Sequence, residues 1–232
     1  PGKIDLGIGV YRDADGKVPV MQAVRRAEQA LFEKNLPKSY LSPLGNVDYC
    51  RDVECLVLGD THSVLTEGRV VSAQTPGAGS ALRAGAELAA SLAPGARLWA
   101  SQPVWGHQLE FFESAGMEIR TYRYYDQMRC VMDFEGMLAD LDGMRANDVL
   151  LLHGCCHNPT GQDLDDAQWS ALADIVRRTG AVPFVDIAYQ GFGRGIEEDV
   201  AGLQQFAAEV PQMLLTVSSS TSFGIYRERA RL

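Results

Sequence analysis

VPFVDIAYQGF, residues 182–192, reads as a short apolar strand that delivers a carboxylate, Asp186, and a phenol, Tyr189, at its C-terminal end. In an open α/β sheet, the crevice beyond the carboxyl ends of the strands is where ligands sit. Asp186 is therefore either a helix cap or the charged anchor of a bound group. The flanking segments decide between the two.

Immediately upstream, a helix is predicted over 165–178. It begins with acids and ends with Arg177 and Arg178, matching the macrodipole at both ends, and Gly180 closes it. Before it, residues 149–153 have the continuous apolar character of a strand buried on both faces. That strand empties into Gly154-Cys155-Cys156-His157-Asn158-Pro159-Thr160-Gly161, a turn punctuated by Asn-Pro and Thr-Gly. Downstream, a helix over 200–209 and a strand over 213–217 lead into Ser218-Ser219-Ser220-Thr221-Ser222-Phe223-Gly224. Toward the N-terminus the same rhythm holds. Strands are predicted over 69–73, 97–101 and 118–122, and helices over 20–35, 47–58, 81–92, 134–141 and up to Ala115. Strands alternating with helices predict an α/β fold, a doubly wound and mostly parallel sheet with helices on both faces. Five polar motifs then fall at strand ends and would gather at one edge of the sheet: residues 77–80, Trp105, Asn158, Asp186 with Tyr189, and Ser218.

The turn Gly77-Ala78-Gly79-Ser80 opens a helix, where free N–H groups and the dipole make an anion site. Its spacing is not G-x-G-x-x-G, which sets aside a dinucleotide-binding reading. Across 232 residues the formal charge is −9, without the basic stripe that a nucleic-acid surface needs. No apolar run is long enough to span a bilayer, and the first residues do not read as a signal peptide. Five cysteines, Cys50, Cys55, Cys130, Cys155 and Cys156, form no disulfide framework, so reduced thiols and a cytoplasmic location are expected. The run Gly154-Cys155-Cys156-His157 lacks metal-ligand spacing, and no metal is expected. The chain starts at Pro1 without a Met and stops at Leu232 just after a strand and loop, which gives the expectation of a fragment.

The order of these turns resembles the fold-type I pyridoxal-phosphate enzymes, and among them the aspartate and aromatic amino-acid aminotransferases. The segments that carry the resemblance are IDLGIGVYRDADGK (4–17), SYLSPLG (39–45), HNPTG (157–161), DIAYQGFGRGIEED (186–199) and SFGIYRER (222–229). The resemblance implies a large cofactor-binding domain over 19–232, a segment of the small domain over 1–18, and absence of the C-terminal part of the family fold. It implies pyridoxal 5′-phosphate as cofactor, an amino acid and a 2-oxo acid as substrates, and a homodimer. By that likeness Asp186 sits against the pyridine nitrogen, and a carboxylate there raises the ring's affinity for its proton. Asn158 and Tyr189 hydrogen-bond the ring's 3′ oxygen, and Trp105 stacks on its face. Ser218, Arg229 and the turn Gly77-Ala78-Gly79 grip the phosphate, a role that suits the bidentate, permanently charged arginine fork. Tyr40 reaches the phosphate in the neighbouring subunit. Gly9, with Trp105 and Asn158, lies on the substrate side, and His153 stands behind Asp186.

Three positions depart from the family pattern. Thr221 occupies the place of the Schiff-base lysine, and the lysines of the chain are Lys3, Lys17, Lys34 and Lys38, all near the N-terminus. Threonine has no amine to tether the cofactor or to carry a proton as general base, and loss of a general base costs about 10²–10⁴ in rate. The phosphate turn has lost one hydroxyl, for which Ser80 is the neighbouring substitute. Gly106-His107-Gln108 shifts an imidazole by one residue. Two readings follow: a transaminase for acidic or aromatic amino acids, or an inactive relative that keeps the scaffold and binds the cofactor without a covalent tether.

Overall fold

The apolar runs on either side of Asp186 pair edge to edge. In the computed structural model, which describes residues 9–232, the chain forms α1 (Gln22–Lys34), α2 (Val47–Leu58), α3 (Ser63–Thr66), β1 (Thr75–Pro76), α4 (Ala78–Leu92), β2 (Arg97–Gln102), α5 (Gly106–Ser114) and β3 (Glu118–Arg123). There follow β4 (Tyr125–Asp126), β5 (Val131–Met132), α6 (Phe134–Leu141), β6 (Val149–His153), α7 (Asp166–Thr179), β7 (Val182–Ile187), α8 (Ala201–Glu209), β8 (Leu214–Val217), α9 (Ser219–Ser222) and β9 (Ala230–Arg231). The part of the 1–18 segment before Gly9, including Lys3, lies outside the described residues.

Five strands make one parallel sheet in the order β3-β2-β6-β7-β8. Strand alternation sends Leu150, Leu152, Val185 and Ile187 into a core that also holds Met137, Trp169, Leu172 and Phe206 from α6, α7 and α8. The opposite residues Val149, Leu151 and Phe184 pack with Leu82 and Ala86 of α4 and Phe112 of α5. Both faces are therefore covered, as a parallel sheet requires, and this is the doubly wound architecture that the alternation predicts.

Local signals set most boundaries. Asp165 caps α7 in a reciprocal capping box with Gln168, and Gly180 ends the helix in the left-handed conformation. At the N-terminal end of the sheet Asp148 accepts from the guanidinium and backbone N–H of Arg97, from Trp99 Nε1 at 3.0 Å and from the Arg145 N–H at 3.0 Å. Arg97 and Asp148 are both buried, so this ion pair ties β2 to the start of β6 at the end of the sheet away from the strand-end crevice.

One expected strand is corrected. Residues 69–73 do not pair, and the only strand there is the short β1, antiparallel to β9. Residues 70–73 face β8 across a cavity of about 420 Å³, lined also by Val53, Leu88, Ala207 and Leu232. A β-prone segment becomes a strand only when a neighbour stands about 4.8 Å away, and here a cavity intervenes. Val217 and Leu232, which also line it, exchange both backbone hydrogen bonds, at 2.9 and 3.0 Å. The short elements α3, β4, β5, α9 and β9 carry no periodicity and escape a sequence reading.

Candidate functional site

Numbered in chain order, the five sheet strands lie 2-1-3-4-5, so the direction of winding reverses between β2 and β6. Ligands bind at such a reversal, beyond the C-terminal ends of the strands. The loop after β2 brings Trp105, the loop after β6 brings Asn158, and β7 ends on Asp186 and Ile187 with Tyr189 just beyond.

Asp186 is buried within β7 and no helix starts there, so it is not a helix cap. Its Oδ1 accepts from Thr216 Oγ1 at 2.8 Å and pairs with the Arg231 guanidinium. Its Oδ2 accepts from Gln108 Nε2 at 2.5 Å. Arg231 in turn donates from Nη2 to Thr216 Oγ1 at 3.0 Å. Burial pulls the Arg231 guanidinium down to about 10, so it remains charged at neutral pH. Among the described residues, two buried atoms of this cluster find no partner: Gln108 Oε1 and Arg231 Nε.

Asn158 Nδ2 lies 3.5 Å from the Tyr189 hydroxyl, and Gly9 lies against the same hydroxyl. Burial raises the Tyr189 phenol above its usual range, against a smaller opposing effect of the Asn158 contact. The segment after Gly9 is held over this edge by a Tyr11 N–H bond to the Tyr226 hydroxyl at 2.9 Å and by the edge-on Tyr11–Phe192 ring pair. Trp105 is half-buried just before α5 and packs on the Leu82–Phe112 core.

At the other end of the crevice, Gly77, Ala78 and Gly79 form the N-terminus of α4. Gly77 has φ 85°, and a Cβ there would fall 2.5 Å from Arg229 Nη2. Only glycine lets the guanidinium lie so close to these free N–H groups. Ser218 is buried and caps α9, accepting from the Ser220 N–H at 3.3 Å. Thr221, in the middle of α9, is partly buried. Ser80 turns its hydroxyl back onto the Pro76 carbonyl at 3.2 Å, so it is engaged in its own helix turn.

Two expectations shift. His107 is exposed and pairs with Glu110, whereas Gln108 is the fully buried residue that meets Asp186. His153 lies beside Asp186 in the β6–β7 register, yet the side-chain partners of Asp186 are Gln108, Thr216 and Arg231. Burial lowers His153 to about 3, with His157 and then the charge of Arg231 adding to the effect. Burial also lowers His157 to about 4; its ring stacks on Tyr124 and bonds Ser101 and Thr160, each at 2.9 Å. Tyr40 is fully exposed, and α1 has no buried residue. The Cys155 and Cys156 thiols and the Asp199 carboxylate come within 4.8 Å of one another. Both Asp199 oxygens, however, accept backbone N–H groups, from Gly191, Gly193, Arg194 and Gly195.

Gln108, Thr216 and Arg231 are absent from a sequence reading of the site. Thr216 sits two residues before Ser218 on a recognisable strand, the one signal that could have located it.

Residues 1–230 match the family model for aminotransferase class I and II. The chain is 44% identical over 228 residues to an aromatic-amino-acid aminotransferase of Paracoccus denitrificans, covering 98% of this chain and 57% of that protein. It is 44% identical over 229 residues to an aspartate aminotransferase of Escherichia coli (strain K12), covering 99% and 58%. It superposes with a TM-score of 0.93 on the crystal structure of an aromatic-amino-acid aminotransferase from Burkholderia pseudomallei covalently bound to pyridoxal phosphate, at 44% identity and 97% and 57% coverage. The chain thus spans less than three fifths of the length of these relatives.

Proposed function

Because the chain belongs to the aminotransferase class I and II family, we propose that it is the pyridoxal 5′-phosphate-binding part of a transaminase. The reaction proposed moves an amino group between an acidic or aromatic amino acid (aspartate, tyrosine or phenylalanine) and a 2-oxo acid. In this reading residues 19–232 are the large domain and residues 1–18 belong to the small one. The observation that carries the cofactor assignment is the Arg229 guanidinium seated over Gly77 at the N-terminus of α4. A doubly charged phosphate fits a cation beside free helix N–H groups, and the unpartnered polar atoms near Asp186 fit a ring that brings its own polar edge.

When bound, pyridoxal phosphate supplies an aldehyde carbon to receive the amino group and a ring that draws electrons from the substrate Cα. The residues of the chain bind and orient. Arg229, Ser218 and the turn 77–79 hold the phosphate. Asn158 and Tyr189 direct hydrogen bonds at the ring's 3′ oxygen, Trp105 covers one face and excludes water, and Gly9 leaves room for substrate beside Tyr189. Asp186 fixes the ring-nitrogen end. Thr221 offers a hydroxyl where proton transfer needs a basic amine, and this favours the second reading, that the chain as written holds the cofactor without turnover. The five free cysteines support a reducing, cytoplasmic setting. Among the described residues no helix is long and apolar enough to cross a membrane.

The cofactor reading is tested by equilibrium dialysis with pyridoxal phosphate and with pyridoxal. The phosphate ester is expected to bind more tightly, and Arg229→Ala to weaken it about 10- to 100-fold, the usual worth of a charge-assisted hydrogen bond. Equal binding of the two ligands would refute it. For turnover, Thr221→Lys is made in the full-length protein: recovered aspartate or tyrosine transamination shows that only the lysine was lacking, and continued inactivity favours the second reading.

A further inference from the structure

An ionised carboxylate offers about four acceptor positions, and the neighbours of Asp186 already use three. Thr216 and Arg231 share Oδ1, and Gln108 takes Oδ2. Arg231 is 1% exposed and Asp186 4%, so the cation lies inside the protein, where water screens its field least. It is also fixed from both sides. β9 pairs with β1 through Thr75↔Arg231, Arg231 bridges to Ser218 at the end of β8, and its Nη2 is bonded to Thr216. The other titratable groups near this cluster are His153, kept neutral by burial, and Tyr49, whose phenol burial raises. Asp186 therefore stands as one half of a closed ion pair. Beside it, Arg231 Nε is a buried N–H donor without an acceptor among the described residues.

Resting on the cofactor reading above, we infer that Arg231 is a positioning residue that neutralises Asp186. The carboxylate meets a bound pyridine nitrogen as part of an ion pair, and so does not raise that nitrogen's affinity for a proton as a lone anion would. A lone carboxylate within about 4–6 Å stabilises the protonated ring, and a guanidinium bonded to the same carboxylate opposes it. The unused Nε–H matches the lone pair of an unprotonated ring nitrogen. Together with Thr221, this makes the site one that holds the ring in a weakly electron-withdrawing state.

The test uses 4-deoxypyridoxine 5′-phosphate labelled with ¹⁵N at the ring. It lacks the aldehyde and so cannot react with lysines. The ring nitrogen is titrated by ¹⁵N NMR, free and bound to the intact chain. Bound to the parent chain, the ring is expected to titrate at or below the pH of the free probe. With Arg231→Met the midpoint rises by about 1–3 pH units, and Arg231→Lys, which keeps the cation, stays with the parent. A parent midpoint a unit or more above that of the free probe overturns the inference, even if Arg231→Met does not fold. So does an Arg231→Met protein that titrates like the parent. Failure of the probe to bind the parent chain instead overturns the cofactor reading, and this inference with it.

Discussion

Asp199 accepts four backbone N–H groups in the loop that follows Tyr189, from Gly191, Gly193, Arg194 and Gly195. Burial alone would push its carboxyl up, but these donors together hold it net below the usual carboxylate range. A carboxyl lowered by folding stabilises the protein at pH values above its unfolded value, about 3.9, and loses that contribution as pH falls through its folded value. Asp199→Asn is therefore expected to cost about 1–3 kcal/mol at pH 7 in urea unfolding, with the difference from the parent shrinking below about pH 4. An unchanged midpoint at pH 7 would show that the loop does not depend on this charge. At this scale the sequence is uneven in what it reveals. Asn158, Asp186 and Tyr189 are legible because each stands beside punctuation at the end of an apolar run. Gln108 and Arg231 are not, because their role comes from direction. Gln108 is distinguished from His107 only by which face of α5 turns inward. Arg229 and Arg231, two apart, would share a face in a regular strand. The left-handed backbone of Arg229, φ 51°, breaks that alternation and sends one to Gly77 and the other to Asp186.

Among the elements, one buried constraint lies far from the chemistry. Arg97 and Asp148 join β2 to the start of β6, and the carboxylate also receives Trp99 and Arg145. Asp148→Ala leaves a buried guanidinium uncompensated and is expected to destabilise the chain by about 3–5 kcal/mol, measured by chemical unfolding. A loss below 1 kcal/mol would mean that the guanidinium finds water. Elements with both a periodic pattern and end signals are legible: α7 carries its cap, its charge bias and Gly180, and β6 and β7 are unbroken apolar runs. Residues 69–73 have equal strand character but no partner at pairing distance, a fact of tertiary placement that local composition does not contain.

For the molecule as a whole, α1 has no buried residue, Phe32 on it is largely exposed and Tyr40 fully so. The family resemblance implies a homodimer in which Tyr40 reaches the partner's phosphate turn, and we propose that a second copy covers exposed α1. Pyridoxal phosphate affinity should then fall as the protein is diluted and sedimentation shows the dimer dissociating. Tyr40→Ala should weaken binding about tenfold or more at concentrations where the dimer persists. Affinity independent of dilution would remove Tyr40 from the site.

The cavity beside β8 has a consequence for exchange with solvent. The Ser218 N–H points to Ile187 of β7, whereas the Val217 N–H points the other way, to Leu232. By the two-residue alternation of a strand, the Leu215 N–H and C=O face the same side as those of Val217, toward the cavity. Leu215 should therefore exchange its amide hydrogen for deuterium far faster than Thr216, in an otherwise protected strand.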